Sequence, residues 1–215
     1  MNTLKQHESW YMPAQDTTMP GDMIHAQYQQ RQRDGFLNHI QQHTGYLGAA
    51  VDVGAHIGLW SRKLTQCYHT VYAYEPMPTL AECYRKNITK NNYYLKEIAL
   101  SDTAGTLHIH YDPVRTQNTY VDIAGTTAVI TETLDSQLIA HIGLIKIDVE
   151  GWEIPVLLGG KTIIARDHPW IIVEEKQGAQ SRVGRHKQEI RMLLESWGYR
   201  RASKIANDVL YGYDV

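Results

Sequence analysis

Residues Val51-Asp52-Val53-Gly54-Ala55-His56-Ile57-Gly58 join a short apolar run to an amphipathic one. Glycines at such a junction let the backbone bend sharply and let a ligand approach the main chain closely. In open α/β sheets, ligands collect at these junctions, outside the carboxyl ends of the strands. Any tight strand-to-helix turn also favours glycine, so the loop alone does not decide the matter. Glu75 adds a second element, since it ends the next apolar run. A carboxylate about twenty residues past the loop is placed to grip the ribose hydroxyls of an adenosine cofactor. Its alternative role is to cap nearby backbone.

The residue types in the loop discriminate between cofactors. A dinucleotide site needs G-x-G-x-x-G, with the second glycine clearing a path for the pyrophosphate. Here that position is His56, whose Cβ crowds the approach. No Gly-Lys-Ser or Gly-Lys-Thr follows a strand, and no Tyr is followed four residues later by Lys, so P-loop and short-chain dehydrogenase chemistry are both unsupported. S-adenosylmethionine has no pyrophosphate and brings an amino-acid tail and a sulfonium instead, so a bulkier loop is acceptable. It is the expected cofactor.

A second chemical cluster follows a later apolar run: Asp148, Glu150, Gly151 and Glu153. No Asn/Asp-Pro-Pro-Tyr tetrad of the amine-directed methyl-transfer type occurs there, and no cysteine stands beside a proline for attack on cytosine. Carboxylates suit oxygen chemistry, because a hydroxyl becomes a competent nucleophile as its proton is taken and its approach is aligned. Asp148 is the first candidate for that base and Glu150 the second. Glu153 reads as a first-turn acid favoured by the helix dipole. Glu174 and Glu175 end a neighbouring run, so Asp148 with Glu174 could instead hold Mg²⁺, which would lower the pKa of the hydroxyl. Lys176 stands where such metal enzymes carry Asn, and the metal is not the favoured reading.

Composition narrows the partners. The formal net charge is −2 over 215 residues and no basic block occurs, which argues against a nucleic-acid substrate. Cys67 and Cys83 are too few for a disulfide framework and wrongly spaced for zinc. No apolar run reaches the roughly 18 residues of a membrane span, and the first twenty or so lack a signal-peptide core, so the expected compartment is the cytoplasm. His108 and His110 share one face of a strand and read as a surface pair.

These groups need a scaffold. Residues 1–21 read as an irregular lead-in, and Asp22 as the N-cap of a helix reaching His43, with Met23, Tyr28, Phe36, Leu37 and Ile40 buried. Tyr28, Arg31 and Asp34 could close over the cofactor, while Arg33 and the nearby glutamines read as solvated surface. Strands at 49–53, 70–74 and 93–100 alternate with helices at 57–67 and 78–87, the pattern of a parallel doubly wound sheet. A half-buried strand around Leu107, Ile109 and Tyr111 precedes a loop or hairpin at 112–125, a candidate for substrate contact. Strands at 144–147 and 170–173, helices near 155–158 and 186–197, and a hairpin of 199–205 with 209–213 complete the chain. The division is a lead-in and cap helix at 1–48 and a catalytic domain at 49–215, in one compact unit.

The stretches VDVGAHIG, YAYEP, IALSD and IKIDVEGWE together resemble the FkbM family of S-adenosylmethionine-dependent methyltransferases over roughly residues 49–175. The segment at residues 28–34 also resembles a lead-in of some phage and environmental members. The resemblance implies a class I methyltransferase fold, Rossmann-like, with a seven-stranded sheet whose last strand is antiparallel. It implies O-methylation of sugars, glycoconjugates or natural products, and therefore a small-molecule or carbohydrate acceptor. Asp52, Gly54, Ala55 and Gly58 fall on the family's cofactor loop, Glu75 on its ribose acid, and Asp148 beside the sulfonium. Ala99, Leu100, Ser101 and Asp102 fall near the adenine edge. His56 departs from the family's usual Asn, and a ring nitrogen there could donate to the methionine tail. Methylation of a small amine, or cofactor binding without turnover, are the remaining alternatives.

Overall fold

The computed structural model describes residues 4–122 and 124–214, with the side chains of residues 20–29 outside that description. Its elements run β1 (Leu4–His7), β2 (Trp10–Pro13), α1 (Met19–His43), β3 (Ala49–Val53), α2 (Ser61–Cys67), β4 (Thr70–Tyr74), α3 (Pro78–Asn87), β5 (Tyr93–Lys96), β6 (Ala99–Leu100) and β7 (Gly105–His110). They continue through β8 (Tyr120–Val121), β9 (Thr127–Glu132), β10 (Ile142–Ile147), α4 (Glu153–Gly159), α5 (Lys161–Asp167), β11 (Trp170–Glu174), α6 (Gln177–Arg182), α7 (Gln188–Ser196), β12 (Tyr199–Ile205) and β13 (Asp208–Tyr213).

The central sheet has seven strands in the order β12-β13-β11-β10-β3-β4-β5. β3, β4, β5, β10 and β11 are parallel, and β13 runs antiparallel to both its neighbours. This is the class I methyltransferase arrangement expected from the sequence. Alternate side chains of the central strands point to opposite faces. Val51, Val53, Ile145, Ile147, Ile171 and Val173 pack with α4, α5 and α7, while Ala50, Leu144 and Ile172 pack with Phe36, Leu37 and Ile40 of α1 and Leu64 of α2. Burial on both faces explains why these strands read as largely apolar runs, with Asp52 and Lys146 the charged exceptions inside β3 and β10.

Several expectations need correction. The lead-in is not irregular: β1 and β2 form an antiparallel hairpin, clamped by Asn87, which accepts from the Tyr11 N–H at 2.6 Å and donates to the Tyr11 carbonyl at 2.8 Å. Helix α1 starts at Met19 rather than after Asp22, because Asp16 Oδ1 accepts the backbone N–H groups of Thr18 and Met19, each at 2.9 Å. Of the expected stripe, Phe36, Leu37 and Ile40 are buried, while the Met23 and Tyr28 side chains lie outside the described residues. The helix expected from Ile57 starts at Ser61, since Gly58 has φ +94°, outside the α region. The single strand expected at 93–100 divides between two sheets. β5 ends the large sheet, and β6 joins a four-stranded sheet in the order β6-β9-β7-β8. Helices α5 and α6 are additional.

Candidate active site

A cavity of about 470 Å³ opens at the carboxyl ends of β3, β4, β10 and β11. Gly54, Ala55, His56 and Glu75 line it together, so the loop and the distant carboxylate converge as expected. Gly54 has φ +75°, and a Cβ there would lie 1.9 Å from the Asp148 carbonyl oxygen. The glycine is therefore required by the close approach of the segment after β10. Gly58 serves packing too, because a Cβ would meet Ile88 at 2.9 Å and Tyr84 at 3.2 Å, away from the cavity.

Glu75 is buried, at 5 % exposure. Its Oε2 accepts the His56 N–H and its Oε1 the Met77 N–H, each at 2.9 Å. Burial pushes its pKa up to about 7 against these bonds. The carboxylate thus caps the loop and still borders the cavity.

Asp52 does not reach the cavity. Fully buried, it accepts the Ser61 hydroxyl at 2.7 Å and pairs with Lys146 at 3.5 Å, its register partner across β3 and β10. Lys146 is a site residue that the sequence reading missed. It is buried, lines the cavity and also pairs with Asp148 at 3.4 Å. Burial opposes its charge, but the carboxylates of Asp148 and Asp52 prevail and its pKa rises. Asp148 consequently stands at the cavity with its carboxylate paired to an ammonium.

The acidic end of the cavity extends further. Asp148, Glu150 and Glu174 each place one oxygen within 4.8 Å of the others, so the structure brings the expected pair Asp148 and Glu174 together. The cluster carries its own cations. Lys176 lies 3.2 Å from both Glu150 oxygens and Arg182 lies 3.5 Å from Oε2. Glu174 is different: burial, then the neighbouring Asp148 and Glu150, push its pKa up to about 9. Asp208, missed because it opens β13 with no motif to mark it, also lines the cavity, and burial and Asp148 push it up to about 7. Glu175 turns away to Arg201 and the Tyr211 hydroxyl. Glu153 stands in the first turn of α4, as expected of a first-turn acid, but it does more than complement the helix dipole. Fully buried, it accepts the Gly151 N–H at 3.1 Å and the Gln180 side-chain amide, fixing the turn that carries Asp148 and Glu150.

Of the expected adenine-edge residues, Ala99 and Leu100 line the cavity, alongside Pro76, Ile98 and Trp152. Ser101 and Asp102 do not. Ser101 accepts the Trp152 indole N–H at 3.1 Å and donates to Asp102 at 3.1 Å, so it orients Trp152 rather than facing a ligand. Of the 112–125 segment, Thr116 through Val121 line the cavity. From α1 the cavity receives Gln32, which is buried. Arg31 is exposed and Asp34 pairs with Lys63 at 3.8 Å. Arg33 donates to the Leu59 carbonyl at 2.6 Å rather than to solvent. Tyr28 lies outside the described side chains. His108 and His110 are exposed, as expected for a surface pair.

This sheet order, with a glycine turn and a strand-end carboxylate around a cavity, defines a class I S-adenosylmethionine-dependent methyltransferase fold. The family model described as "Methyltransferase FkbM domain" matches residues 52–201, and the chain belongs to that family. Among solved structures it is similar to the methyltransferase FkbM from Methylobacillus flagellatus KT, at 16% identity and TM-score 0.52 over 77% of this chain and 43% of that one. The chain thus spans less than half the length of that relative. It is also similar to magnesium protoporphyrin IX methyltransferase from Synechocystis PCC 6803 with bound S-adenosylmethionine, at 13% identity and TM-score 0.55, covering 94% and 87% of the two chains. A ribosomal protein L11 methylase from Lactobacillus delbrueckii subsp. bulgaricus matches at 10% identity and TM-score 0.52, covering 82% and 75%. At these identities the structures speak for the fold. No curated protein matches the chain in sequence. No helix among the described residues is long and apolar enough to cross a membrane.

Proposed function

We propose that this chain methylates a hydroxyl on a sugar, glycoconjugate or small natural product, with Asp148 as the proton acceptor. The observation that carries this reading is the position of Asp148, in the same cavity as Gly54 and Glu75 and oriented by Lys146 at 3.4 Å. The residues present fit the cofactor: Glu75 offers a pinned carboxylate to ribose hydroxyls, and Ala99, Leu100, Ile98 and Trp152 offer apolar lining suited to a purine. S-adenosylmethionine, when bound, supplies a methyl group on a cationic sulfur. Asp148 takes the proton from the acceptor hydroxyl as the oxygen becomes nucleophilic. Glu150, held by Lys176 and Arg182, and Asn207 offer hydrogen bonds that align a polyhydroxylated acceptor. The 116–121 segment, which lines the cavity, limits access of water to the reacting groups.

Methyl-labelled S-adenosylmethionine incubated with the purified chain and a panel of sugars, other alcohols and amines tests this reading. Transfer to an alcohol is expected, with Asp148→Ala lowering turnover at least about a hundredfold, in the range of general-base loss, while S-adenosylhomocysteine still binds. Transfer to amines alone, or unchanged turnover in the variant, contradicts it.

A further inference from the structure

The His56 ring belongs to a hydrogen-bond chain that the transfer step does not use. The Asp16 carboxylate is fully buried. Its Oδ2 accepts the Thr116 N–H at 3.0 Å and the Thr116 hydroxyl at 2.5 Å, and its Oδ1 accepts from Thr18 and Met19. Those bonds overcome burial and hold Asp16 below the usual carboxylate range, so it is an ionised acceptor. The Thr116 hydroxyl has one proton and gives it to Asp16. His56 Nε2, 2.9 Å from the same hydroxyl oxygen, must therefore be the donor in that contact. Burial pushes the His56 pKa down to about 4, so the ring is neutral and holds a single proton. Nδ1 is left as an acceptor, with no hydrogen-bond partner among the described residues.

The location of this ring is specific. His56 lines the cavity at φ +52°, a left-handed conformation that a non-glycine residue adopts only where its surroundings enforce it. Its backbone N–H is already committed to Glu75. The charged groups whose fields reach the ring are Asp16, Asp148 and Lys146, two carboxylates against one ammonium. An acceptor nitrogen in that setting selects a cationic donor and disfavours a carboxylate.

We propose that His56 Nδ1 receives the α-ammonium group of the cofactor's amino-acid tail, with Thr116 and Asp16 as positioning residues that lock the ring as an acceptor. This rests on the S-adenosylmethionine reading above. It reverses the donor role expected from the sequence for a ring nitrogen at this place. It also gives the 116–121 segment a second task, because Thr116 fastens it to His56 and to Asp16, which precedes α1.

Calorimetric titration of the full chain separates the possibilities with three probes: S-adenosylhomocysteine, its analogue with hydrogen in place of the amine, and 5′-methylthioadenosine, which lacks the tail. The wild type is expected to prefer S-adenosylhomocysteine over the amine-free analogue. His56→Gly, which tolerates the positive φ, should weaken S-adenosylhomocysteine about tenfold or more, as for loss of a hydrogen bond to a charged group. Binding of the other two probes should stay within about twofold, as no such bond is lost there. His56→Asn, whose amide oxygen accepts, should restore most of the preference, and Thr116→Val should show a smaller loss with the same selectivity. Equal weakening of all three probes, or unchanged S-adenosylhomocysteine binding in His56→Gly, overturns the proposal. A wild type that binds 5′-methylthioadenosine but ignores the amine sinks this proposal and spares the cofactor reading. A wild type that binds none of the probes sinks both.

Discussion

Glu174 and Asp208 face one another as register partners across the antiparallel strands β11 and β13, and both side chains border the cavity. Like charges directly opposite one another destabilise a sheet. Burial comes first and the surrounding carboxylates second in pushing Glu174 up to about 9 and Asp208 up to about 7. The pair holds protons at neutral pH that it would release on unfolding.

The sign of the resulting pH dependence is fixed by linkage. An acid whose folded pKa lies above its unfolded value contributes most below the unfolded value, and that contribution is lost as pH rises toward the folded one. The melting temperature of the ligand-free chain should therefore fall between about pH 5 and pH 8, the window set by the elevated carboxyls. Glu75 and Glu153, each pushed up to about 7 by burial, add to the same trend. Glu174→Gln should raise the melting temperature at pH 8 by about 2–6 °C and reduce the slope. Differential scanning calorimetry across this range would contradict the assignment if the melting temperature were flat or rising.

Gly54 and Gly178 give opposite outcomes for one substitution. Gly54→Ala drives a Cβ into the Asp148 carbonyl at 1.9 Å and imposes a φ of +75° on alanine. A loss of at least about 3 kcal/mol in denaturant unfolding is expected, from overpacking and backbone strain together. Gly178 lies in α6 with nothing within 4 Å of an added Cβ, so Gly178→Ala should gain about 0.5–1 kcal/mol. Equal effects at the two sites would contradict the packing described.

The legibility of the sequence tracks the range of the interactions concerned. β3, β10 and β11 announce themselves because both of their faces are buried, and the Gly54 turn with Glu75 is local punctuation at a fixed separation. The β1–β2 hairpin carries no such mark, since its stability comes from Asn87, 76 positions from Tyr11. Asp16 and Thr116 are 100 positions apart, and nothing near either residue reveals their bond. Lys146 sat inside a quoted motif and still escaped notice, because its meaning depends on Asp52 in the register of a neighbouring strand. The break between β5 and β6 has no glycine or proline to signal it. Gly58 looked like a cofactor residue because a sequence cannot show Ile88 and Tyr84 occupying the space around it.

Lys146→Met should expose the dependence of the site on its buried cation. Asp52, at 0 % side-chain exposure, would lose its charge partner, and breaking a buried pair from one side costs about 3–5 kcal/mol. Adding Asp52→Asn should recover a substantial part of that loss, since the uncompensated charge is then gone. A double variant no more stable than Lys146→Met, measured by urea unfolding, would contradict this.

Methyl transfer should need no divalent cation. Lys176 and Arg182 already pair with Glu150, and Lys146, shared with Asp52, already pairs with Asp148. Turnover should be unchanged by EDTA, and Mg²⁺ should leave the melting temperature unmoved. Loss of turnover on chelation, restored by Mg²⁺, would instead assign Asp148, Glu150 and Glu174 to a metal.

The convergence of the Gly54 loop and Glu75 on one nucleoside is tested most directly by calorimetric titration with S-adenosylhomocysteine, comparing the wild type with Glu75→Gln. Saturable one-to-one binding is expected for the wild type. The variant should bind at least about tenfold more weakly, since an acceptor for the ribose hydroxyls becomes a donor, while its melting curve shows a folded chain. No saturable binding by the wild type, or equal affinity in a folded Glu75→Gln variant, would contradict it.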